Sequence, residues 1–389
     1  MNEYRLKDKV SEQDINTTKS RLIAVGGFLG AGKTELIIQL AKTLTSEHNK
    51  RVAIITNDQG EQLVDSKIVK EYGFEYAEVL SGCFCCRFAQ FIVHIHEILA
   101  EIKPNVILAE PVGSCTDLMS TVYAPLRKYY RNEIILAPYI VLADAFTILD
   151  INKKSGILSP KTKQGHLMSW QLREADIIGI NKIDLVSSDH IEKVEELLRG
   201  INDKSEIITL SAKTGSNVEK ITRMILEEEA PFCSSVEVDY DIYGAAEAEL
   251  GWFNGGWSLK SNLQFEPKNF IQNLLTDIAK RVEKKEGRVC HMKIFLSTEE
   301  AAVKASLVTM QQGVQFTGKM PPSTTIAHVT LNIRAALVPE EITKTVNEAL
   351  SFVCTEFKAE YTEWHLESFR PGFPTPFYKL KIEREGNKE

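Results

Sequence analysis

Three cysteines lie within four positions of the chain, in the stretch "LSGCFCCRF" that begins at Leu80. Cys83, Cys85 and Cys86 are too many for one disulfide, and the other four of the seven cysteines are scattered singly. This usage is typical of a reducing cytosol, where a tight cysteine cluster more often binds a metal or reacts than forms a disulfide. A transition-metal site, a redox pair or a small buried apolar cluster would each explain the stretch.

A second group of residues has the composition of a phosphate-binding loop. The stretch "GGFLGAGKTE" follows an apolar strand-like run, opens a helical pattern and fits G-x-x-x-x-G-K-[ST]. Glycines let backbone N–H groups close around phosphate oxygens, the lysine reaches the β- and γ-phosphates, and the threonine hydroxyl can ligate Mg²⁺. The predicted nucleotide-binding residues of this loop are Gly27, Gly30, Ala31, Gly32, Lys33 and Thr34.

Two later stretches predict that the bound base is guanine. In "INKIDL", Asp184 can accept hydrogen bonds from guanine N1–H and N2–H₂, Asn181 can meet N7 or hold the loop, and the Lys182 stem can lie along the ring. In "SAKTG", Ser211 and Ala212 follow the next strand, and the Ala212 amide is expected near guanine O6. Adenine would leave the aspartate unpaired, and a site built on such bonds can reject the wrong base by roughly 10⁴-fold.

Carboxylates at two further strand ends could act on the phosphates. Glu110 in "AEPVG" is predicted to order the Mg²⁺ shell or the attacking water, with Gly113 near the γ-phosphate. Asp58 in "TNDQGEQLVD" could sense the metal or the γ-phosphate as part of a switch loop. A solvated loop carboxylate is the alternative for each acid. The predicted catalytic set is Lys33, Thr34 and Glu110.

The elements that must position these residues alternate along the first half of the chain. From Arg21 to about Glu229, apolar strand-like runs alternate with helix-period segments, as in a mostly parallel sheet covered by helices. The predicted fold class is α/β: a P-loop NTPase with a mostly parallel sheet, followed by a smaller α+β domain of the ferredoxin-like split βαβ type. The predicted boundaries are a tail at 1–20, the P-loop domain at 21–230, a linker at 231–249, the second domain at 250–380 and a tail at 381–389.

The composition narrows the classes of partner. The net charge of −7 disfavours nucleic-acid binding, which needs a basic face. The longest apolar run, "IILAPYIVLADAF", is too short to span a bilayer, and the polar start of the chain does not resemble a secretory signal. We therefore expect a cytoplasmic protein without nucleic-acid or membrane partners, and a homodimer remains one option for its oligomeric state.

About residues 21 to 230 resemble GTPases of the cobalamin-synthesis protein W (CobW) family. The resemblance rests on four motifs, which occur in this order: "GGFLGAGKT", "GCFCC", "EPVG" and "QLREADIIGINKIDL". Such proteins look like GTP-driven metal chaperones, related to the urease and hydrogenase nickel-insertion GTPases. The resemblance implies hydrolysis of GTP to GDP with Mg²⁺, and a transition metal, Zn²⁺, Co²⁺ or Ni²⁺, bound by Cys83, Cys85 and Cys86. Three thiolates leave one tetrahedral position open, which suits a carrier that releases its cargo. Cys115, just after "EPVGS", is a further candidate ligand.

The chain also departs from the family pattern. Glu35 stands where the family usually has threonine, "NDQGE" replaces "NEFGE" so that Asp58 has the shorter reach, and a His-rich tract is absent. The client is expected to be a metalloprotein or a cofactor-assembly enzyme, for example in a cobalamin pathway, that contacts the C-terminal domain. One face of that domain's sheet, with His291, Lys293 and His328, is expected to be open and polar. Two alternatives remain: a GTP-gated partner-binding switch for a corrinoid enzyme with a structural metal, and a cysteine redox sensor.

Overall fold

The computed structural model describes residues 19–57, 64, 69, 72–79, 82–149, 152, 163–232 and 236–381. The first unit is built on a sheet with strands β1 (Ser20–Gly27), β2 (Val52–Asn57), β3 (Glu75–Val79), β4 (Val106–Glu110), β5 (Ile134–Leu136), β6 (Ile140–Asp144), β7 (Ile177–Asn181) and β8 (Glu206–Thr209). The α-helices described in this unit are α1 (Lys33–Ser46), α2 (Phe88–Glu101), α3 (Ala124–Tyr130), α4 (Lys163–Glu174), α5 (Ser188–Ile201), α6 (Val218–Glu227) and α7 (Tyr240–Ala248). A π-helical turn at Met119–Tyr123 leads into α3, and a 3-10 turn at Ile183–Leu185 follows β7.

The strands of this sheet run parallel, in the order β3-β2-β4-β1-β6-β7-β8, and β5 pairs with the first half of β1. Every residue of β2, β4, β6 and β7 is buried, because helices cover both faces of the sheet. The predicted P-loop architecture is confirmed. In such a sheet the loops at the carboxyl ends of the strands share one edge, so the loops after β1, β4 and β7 lie close together.

The turn between β1 and α1 depends on glycine. Gly27 has φ 128° and Gly32 has φ 98°. Residues with a Cβ rarely adopt these backbone angles. A Cβ on Gly27 would also lie 2.6 Å from the carbonyl oxygen of Leu142. The chain can therefore fold back at this point and start α1 with its free N–H groups at the carboxyl edge of the sheet.

The second unit is a six-stranded antiparallel sheet with two helices packed on one face. Its strands are β9 (Gly251–Phe265), β10 (Val289–Ser297), β11 (Ala302–Leu307), β12 (Gln315–Gly318), β13 (Thr324–Ala335) and β14 (Ala359–Phe369), and its helices are α8 (Pro267–Lys284) and α9 (Pro339–Glu356). The strand order is β12-β11-β10-β13-β9-β14. This is the predicted split βαβ arrangement, extended at one edge by the hairpin of β11 and β12.

The chain between and after the two units is more structured than the composition suggested. Residues 240–248, inside the predicted linker, form α7, whose Tyr243 and Ala246 pack against Leu167 and Trp170 of α4. After β14 the chain leaves the second sheet and returns to the first unit, where the Leu380 N–H donates to the carbonyl oxygen of Ser120 at 2.9 Å. Of the two acidic residues of α7, Asp241 is exposed and Glu247 is buried, and their presence concealed the apolar spacing of the helix. Among the described helices, none has both the length and the apolar character that a bilayer crossing needs.

Candidate nucleotide and metal site

The predicted catalytic residues lie together at the start of α1. The Lys33 ammonium is buried and donates to the carbonyl oxygen of Gly27 at 3.0 Å. The Thr34 hydroxyl donates to Glu110 Oε1 at 2.9 Å, across the gap between α1 and the end of β4. A Cβ on Gly113 would lie 3.0 Å from Lys33 Nζ, so the loop after β4 touches Lys33 directly.

The same residues fit a magnesium ion. Thr34 and Glu110 contribute two buried oxygen atoms 2.9 Å apart, and oxygen is the ligand type that Mg²⁺ prefers. They lie at the N-terminus of α1, where phosphate oxygens are favoured as further ligands. Asp58, the other predicted acid, lies outside the described residues.

Asn181 holds the two loops predicted to recognise the base, those of Asp184 and Ala212, to the phosphate loop. Its Nδ2 donates to the carbonyl oxygen of Ala31 at 2.8 Å, and its Oδ1 accepts from the Ala212 amide at 2.9 Å. The Ala212 amide, which we expected near guanine O6, therefore donates to a protein acceptor in this structure. The Asp184 carboxylate is exposed and lines the same cavity as the phosphate loop, with its Oδ1 accepting from Ser211 Oγ at 2.6 Å.

Asp144 is a residue of this site that the sequence did not single out. It ends β6, is only 6% exposed, and accepts from Lys182 Nζ at 2.7 Å and from the Phe146 amide at 2.9 Å. Lys182 has φ 65°, so its backbone turns sharply at the start of the base-recognition loop. The ion pair with Asp144 directs the Lys182 side chain along this loop. A carboxylate that directly ends a buried strand, as in "IVLAD", was the available signal.

The second unit forms one wall of the nucleotide cavity. Val308 packs on the phosphate loop, because a Cβ on Gly30 would lie 2.6 Å from Val308 Cγ2. The Thr317 hydroxyl donates to Glu35 Oε2 at 3.1 Å, so the residue that departs from the family pattern takes part in the contact between the units. Gln312 Nε2 donates to Asp144 Oδ2 at 3.2 Å. The phosphate loop is thus in direct contact with the C-terminal domain.

The prediction that one face of the second sheet is open is wrong in part. His291 and Lys293 on β10, together with the buried Lys304 on β11, line the cavity that contains the phosphate loop. His328 lies toward the other end of the sheet, where it is exposed and hydrogen-bonds to Ser258 at 3.0 Å. The sequence indicated a polar face correctly, but it could not show that half of this face lines the same cavity as the phosphate loop.

The three clustered cysteines form a compact group. The Sγ atoms of Cys83, Cys85 and Cys86 lie within 4.8 Å of one another. The turn that carries them ends where α2 begins, and the Cys86 amide donates to the carbonyl oxygen of Cys83 at 3.0 Å to close it. The predicted metal-binding residues are therefore carried by one short turn.

Asn57 fixes this cysteine turn to the end of β2. Its Nδ2 donates to the carbonyl oxygens of Val79 at 2.8 Å and Gly82 at 2.6 Å, and its Oδ1 accepts from the Phe84 amide at 2.9 Å. The Phe84 ring is buried and stacks on Phe91 of α2 at 4.3 Å between centroids. The turn is thereby anchored by one amide and one aromatic ring, and the thiols are positioned by a rigid frame.

A fourth thiol, that of Cys115, lies beside this group, and the pKa values of the thiols differ from one another. Cys85 Sγ lies 2.7 Å from Cys83 Sγ, 3.8 Å from Cys86 Sγ and 3.9 Å from Cys115 Sγ. Hydrogen bonding to Cys115 and Cys83, together with burial, raises the pKa of the Cys85 thiol well above its usual value. Hydrogen bonding to Cys83 raises the pKa of Cys86 to about 11, whereas hydrogen bonds from Cys83 and Cys85 lower the pKa of Cys115 to about 6. A metal must displace the protons of Cys85 and Cys86 in order to bind.

Residues 375–380, here named the C-terminal segment, cover the cysteine turn. The Phe377 amide donates to the carbonyl oxygen of Cys85 at 2.9 Å, and the Tyr378 ring meets Phe88 edge-on at 5.3 Å. Lys379 Nζ lies 3.8 Å from the buried carboxylate of Asp117. The thiols are consequently enclosed between α2, the loop after β4 and the last described residues of the chain.

The phosphate loop, the cysteine turn, the end of β4 and the base-recognition aspartate all lie within residues 21–209, which match the family described as "CobW/HypB/UreG, nucleotide-binding domain". Residues 21–209 are similar to the CobW/HypB/UreG nucleotide-binding domain. The resemblance read from the motifs is confirmed, and the CobW/HypB/UreG family is a family of GTPases. The match ends at β8, before the second unit begins.

Several known proteins are similar to part of this chain. Zinc-regulated GTPase metalloprotein activator 1 of Dictyostelium discoideum is 25% identical over 218 residues, which cover 47% of this chain and 44% of that protein. Zinc chaperone YeiR of Escherichia coli (strain K12) is 30% identical over 170 residues, 43% of this chain and 47% of that protein. The chain thus spans less than half the length of these relatives. The crystal structure of hydrogenase maturation factor HypB from Archaeoglobus fulgidus is 19% identical, with a TM-score of 0.39, and the match covers 53% of this chain and 89% of HypB.

Proposed function

We propose that this protein is a GTP-hydrolysing metal chaperone, which binds a divalent transition metal at Cys83, Cys85 and Cys86 and couples that binding to its GTP state. The observation that carries the proposal is the group of three sulfur atoms within 4.8 Å, on a turn of the same domain that holds the phosphate loop. Thiolates select soft or borderline ions. Because two relatives are named for zinc, Zn²⁺ is the first candidate, followed by Co²⁺ and Ni²⁺.

GTP hydrolysis follows from the arrangement around α1. Lys33 neutralises charge on the β- and γ-phosphates, and the N–H groups at the start of α1 bind their oxygens. Thr34 and Glu110 would hold Mg²⁺, which supplies further charge neutralisation when bound. Glu110 keeps the Thr34 hydroxyl oriented, and Lys293 and Lys304 of the second unit place more positive charge at the same cavity.

Recognition of guanine rests on the exposed Asp184 carboxylate. Ser211 Oγ holds one of its oxygen atoms, which fixes the carboxylate plane toward the cavity that the phosphate loop shares. Asn181 keeps the two base-recognition loops in register with the phosphate loop, which is the second of the two roles considered for it. The recipient of the metal would be a metalloprotein or a cofactor-assembly enzyme, with a cobalamin pathway as one case, and would contact the C-terminal domain.

Metal titration of the reduced protein under anaerobic conditions tests the proposal. Co²⁺ should bind with thiolate charge-transfer absorption in the near ultraviolet, and serine at any one of Cys83, Cys85 or Cys86 should weaken both binding and absorption. Serine at Cys354, buried in the core of the second unit, is the matched control and should change neither. Affinity measured with Mg²⁺–GTP and with Mg²⁺–GDP should differ; equal affinities would refute the coupling, and an absorption band that survives in the triple variant would refute the site.

A thiol redox sensor is the second candidate, because Cys83 Sγ and Cys85 Sγ are only 2.7 Å apart. A peroxide would oxidise both thiols to a disulfide and would itself be reduced to water, with the two thiol protons transferred to the leaving oxygens. Reversible formation of this disulfide in a protein that binds no metal would favour the sensor over the chaperone. Thiol counting after peroxide treatment, with and without bound Zn²⁺, separates the two.

A further inference from the structure

The loop after β4 carries a thiol, and the predicted catalytic acid, Glu110, ends that strand. Cys115 Sγ is 3.9 Å from Cys85 Sγ, and Cys85 Sγ is 3.8 Å from Cys86 Sγ. Two thiolates on one tetrahedral metal, each about 2.3 Å from it, are about 3.8 Å apart. We propose that Cys115 is a fourth thiolate ligand, which closes the site into a four-sulfur centre; this rests on the metal site of the proposed function.

The remaining distances show which atoms must move when the metal binds. Cys83 Sγ and Cys85 Sγ, at 2.7 Å, have to separate by about 1 Å to reach a tetrahedral edge. Cys83, Cys85 and Cys86 form the tighter group, and Cys115 Sγ lies at the edge of that group, near Cys85 Sγ. Three ligands thus come from one rigid turn, and the fourth comes from a separate loop that can approach or leave independently.

That separate loop is the one beside the phosphate site. Gln171 Nε2 donates to the carbonyl oxygens of Gly113 at 3.0 Å and Cys115 at 2.8 Å, so one side chain of α4 links the two residues. Gly113 lies against Lys33, since a Cβ there would be 3.0 Å from Lys33 Nζ. A phosphate group that displaces Gly113 therefore displaces Cys115.

Cys115 is thus the ligand through which the nucleotide acts on the metal. With Cys115 bound, the site has the closed four-ligand form of centres that retain their metal. With Cys115 withdrawn, three thiolates remain and one coordination position opens to a ligand from the recipient protein. Since coupling between two ligands is reciprocal, bound metal also changes nucleotide affinity by the same factor.

The first test counts sulfur ligands. X-ray absorption of the Zn²⁺-loaded protein should show four sulfur atoms at about 2.3 Å, and three in Cys115→Ser. In the Co²⁺-loaded variant, charge-transfer absorption should fall by about one quarter and affinity by at least about tenfold, whereas Cys354→Ser should match the wild type. Cys115→Ala repeats both measurements without placing a hydroxyl in a buried position. An unchanged sulfur count and unchanged affinity in both Cys115 variants would overturn the assignment.

The second test concerns the nucleotide. The ratio of Co²⁺ affinities with Mg²⁺–GDP and with a non-hydrolysable Mg²⁺–GTP analogue should collapse toward one in Cys115→Ser. A ratio that the variant retains in full would overturn the role of this loop. The outcome for the proposed function is read separately: a wild-type protein without any thiolate absorption refutes the metal site itself, whereas three sulfur ligands in both wild type and variant refute only Cys115.

Discussion

A single methyl group at Gly113 tests whether the loop after β4 positions the phosphate-binding lysine. In Gly113→Ala the new Cβ would lie 2.7 Å from Leu29 Cδ2 and 3.0 Å from Lys33 Nζ. Carbon atoms in ordinary contact are about 3.5–4.0 Å apart, so the loop or the lysine must retreat by roughly 0.5–1 Å. A displacement of about 1 Å at a reacting centre can reduce the rate by about 10²-fold, which corresponds to about 2.7 kcal/mol in the barrier.

Single-turnover GTP hydrolysis is the appropriate assay, because it reports the chemical step without product release. Gly200→Ala is the matched control, since a Cβ on Gly200 would meet nothing within 4 Å and its rate should equal that of the wild type. The double variant Gly113→Ala/Leu29→Ala removes the contact with the Leu29 side chain but keeps the contact with Lys33, so it should remain slow. A Gly113→Ala protein that hydrolyses GTP within twofold of the wild-type rate would refute the reasoning.

The base, the metal shell and the folding equilibrium each give a further test. Asp184→Asn should lose GTP affinity and gain affinity for xanthosine triphosphate in competition binding; an intact protein that binds ATP as tightly as GTP contradicts the base assignment. Thr34→Ala should remove a Mg²⁺ ligand and the hydrogen bond to Glu110, so hydrolysis should need more Mg²⁺; an unchanged Mg²⁺ dependence places the ion elsewhere. Burial raises the pKa of Asp176 to about 6. This carboxyl group therefore makes its full contribution to the free energy of unfolding below about pH 4, and that contribution is lost as the pH rises through 6. Asp176→Asn should therefore raise the free energy of unfolding by up to about 3 kcal/mol at pH 7 and change it little at pH 4, measured by denaturant unfolding at both pH values; an equal effect at both would show that ionisation is not the cause.

Local patterns predicted the parts of the molecule that depend on local chemistry. The phosphate loop, the alternation of buried strands with helices and the split βαβ order each arise within short stretches, where glycine, apolar periodicity and turn residues determine the backbone. The grouping of Cys83, Cys85 and Cys86 follows equally from their spacing. These predictions needed no information about which distant surfaces meet.

The missed residues depend on contacts between distant segments. Asn57 and Asp144 are short polar residues at strand ends, and such residues resemble solvated loop positions until their buried partners are known. The contact of Val308 with Gly30 joins surfaces almost 280 residues apart in the chain, and periodicity within either segment carries no signal of it. The expectation for the Ala212 amide did not include Asn181 as a competing acceptor.

The C-terminal segment has a consequence for the order in which the protein matures during its synthesis. Phe377 closes over the carbonyl group of Cys85, but about 260 residues separate it from Cys115, the last of the four thiols to be synthesised. At about 5–20 residues per second, a ribosome takes roughly 13–52 s to cover that distance. During this interval the nascent chain presents all four sulfur atoms before their cover exists. Once residues 375–380 have folded back, metal has to pass this segment both to enter the site and to leave it.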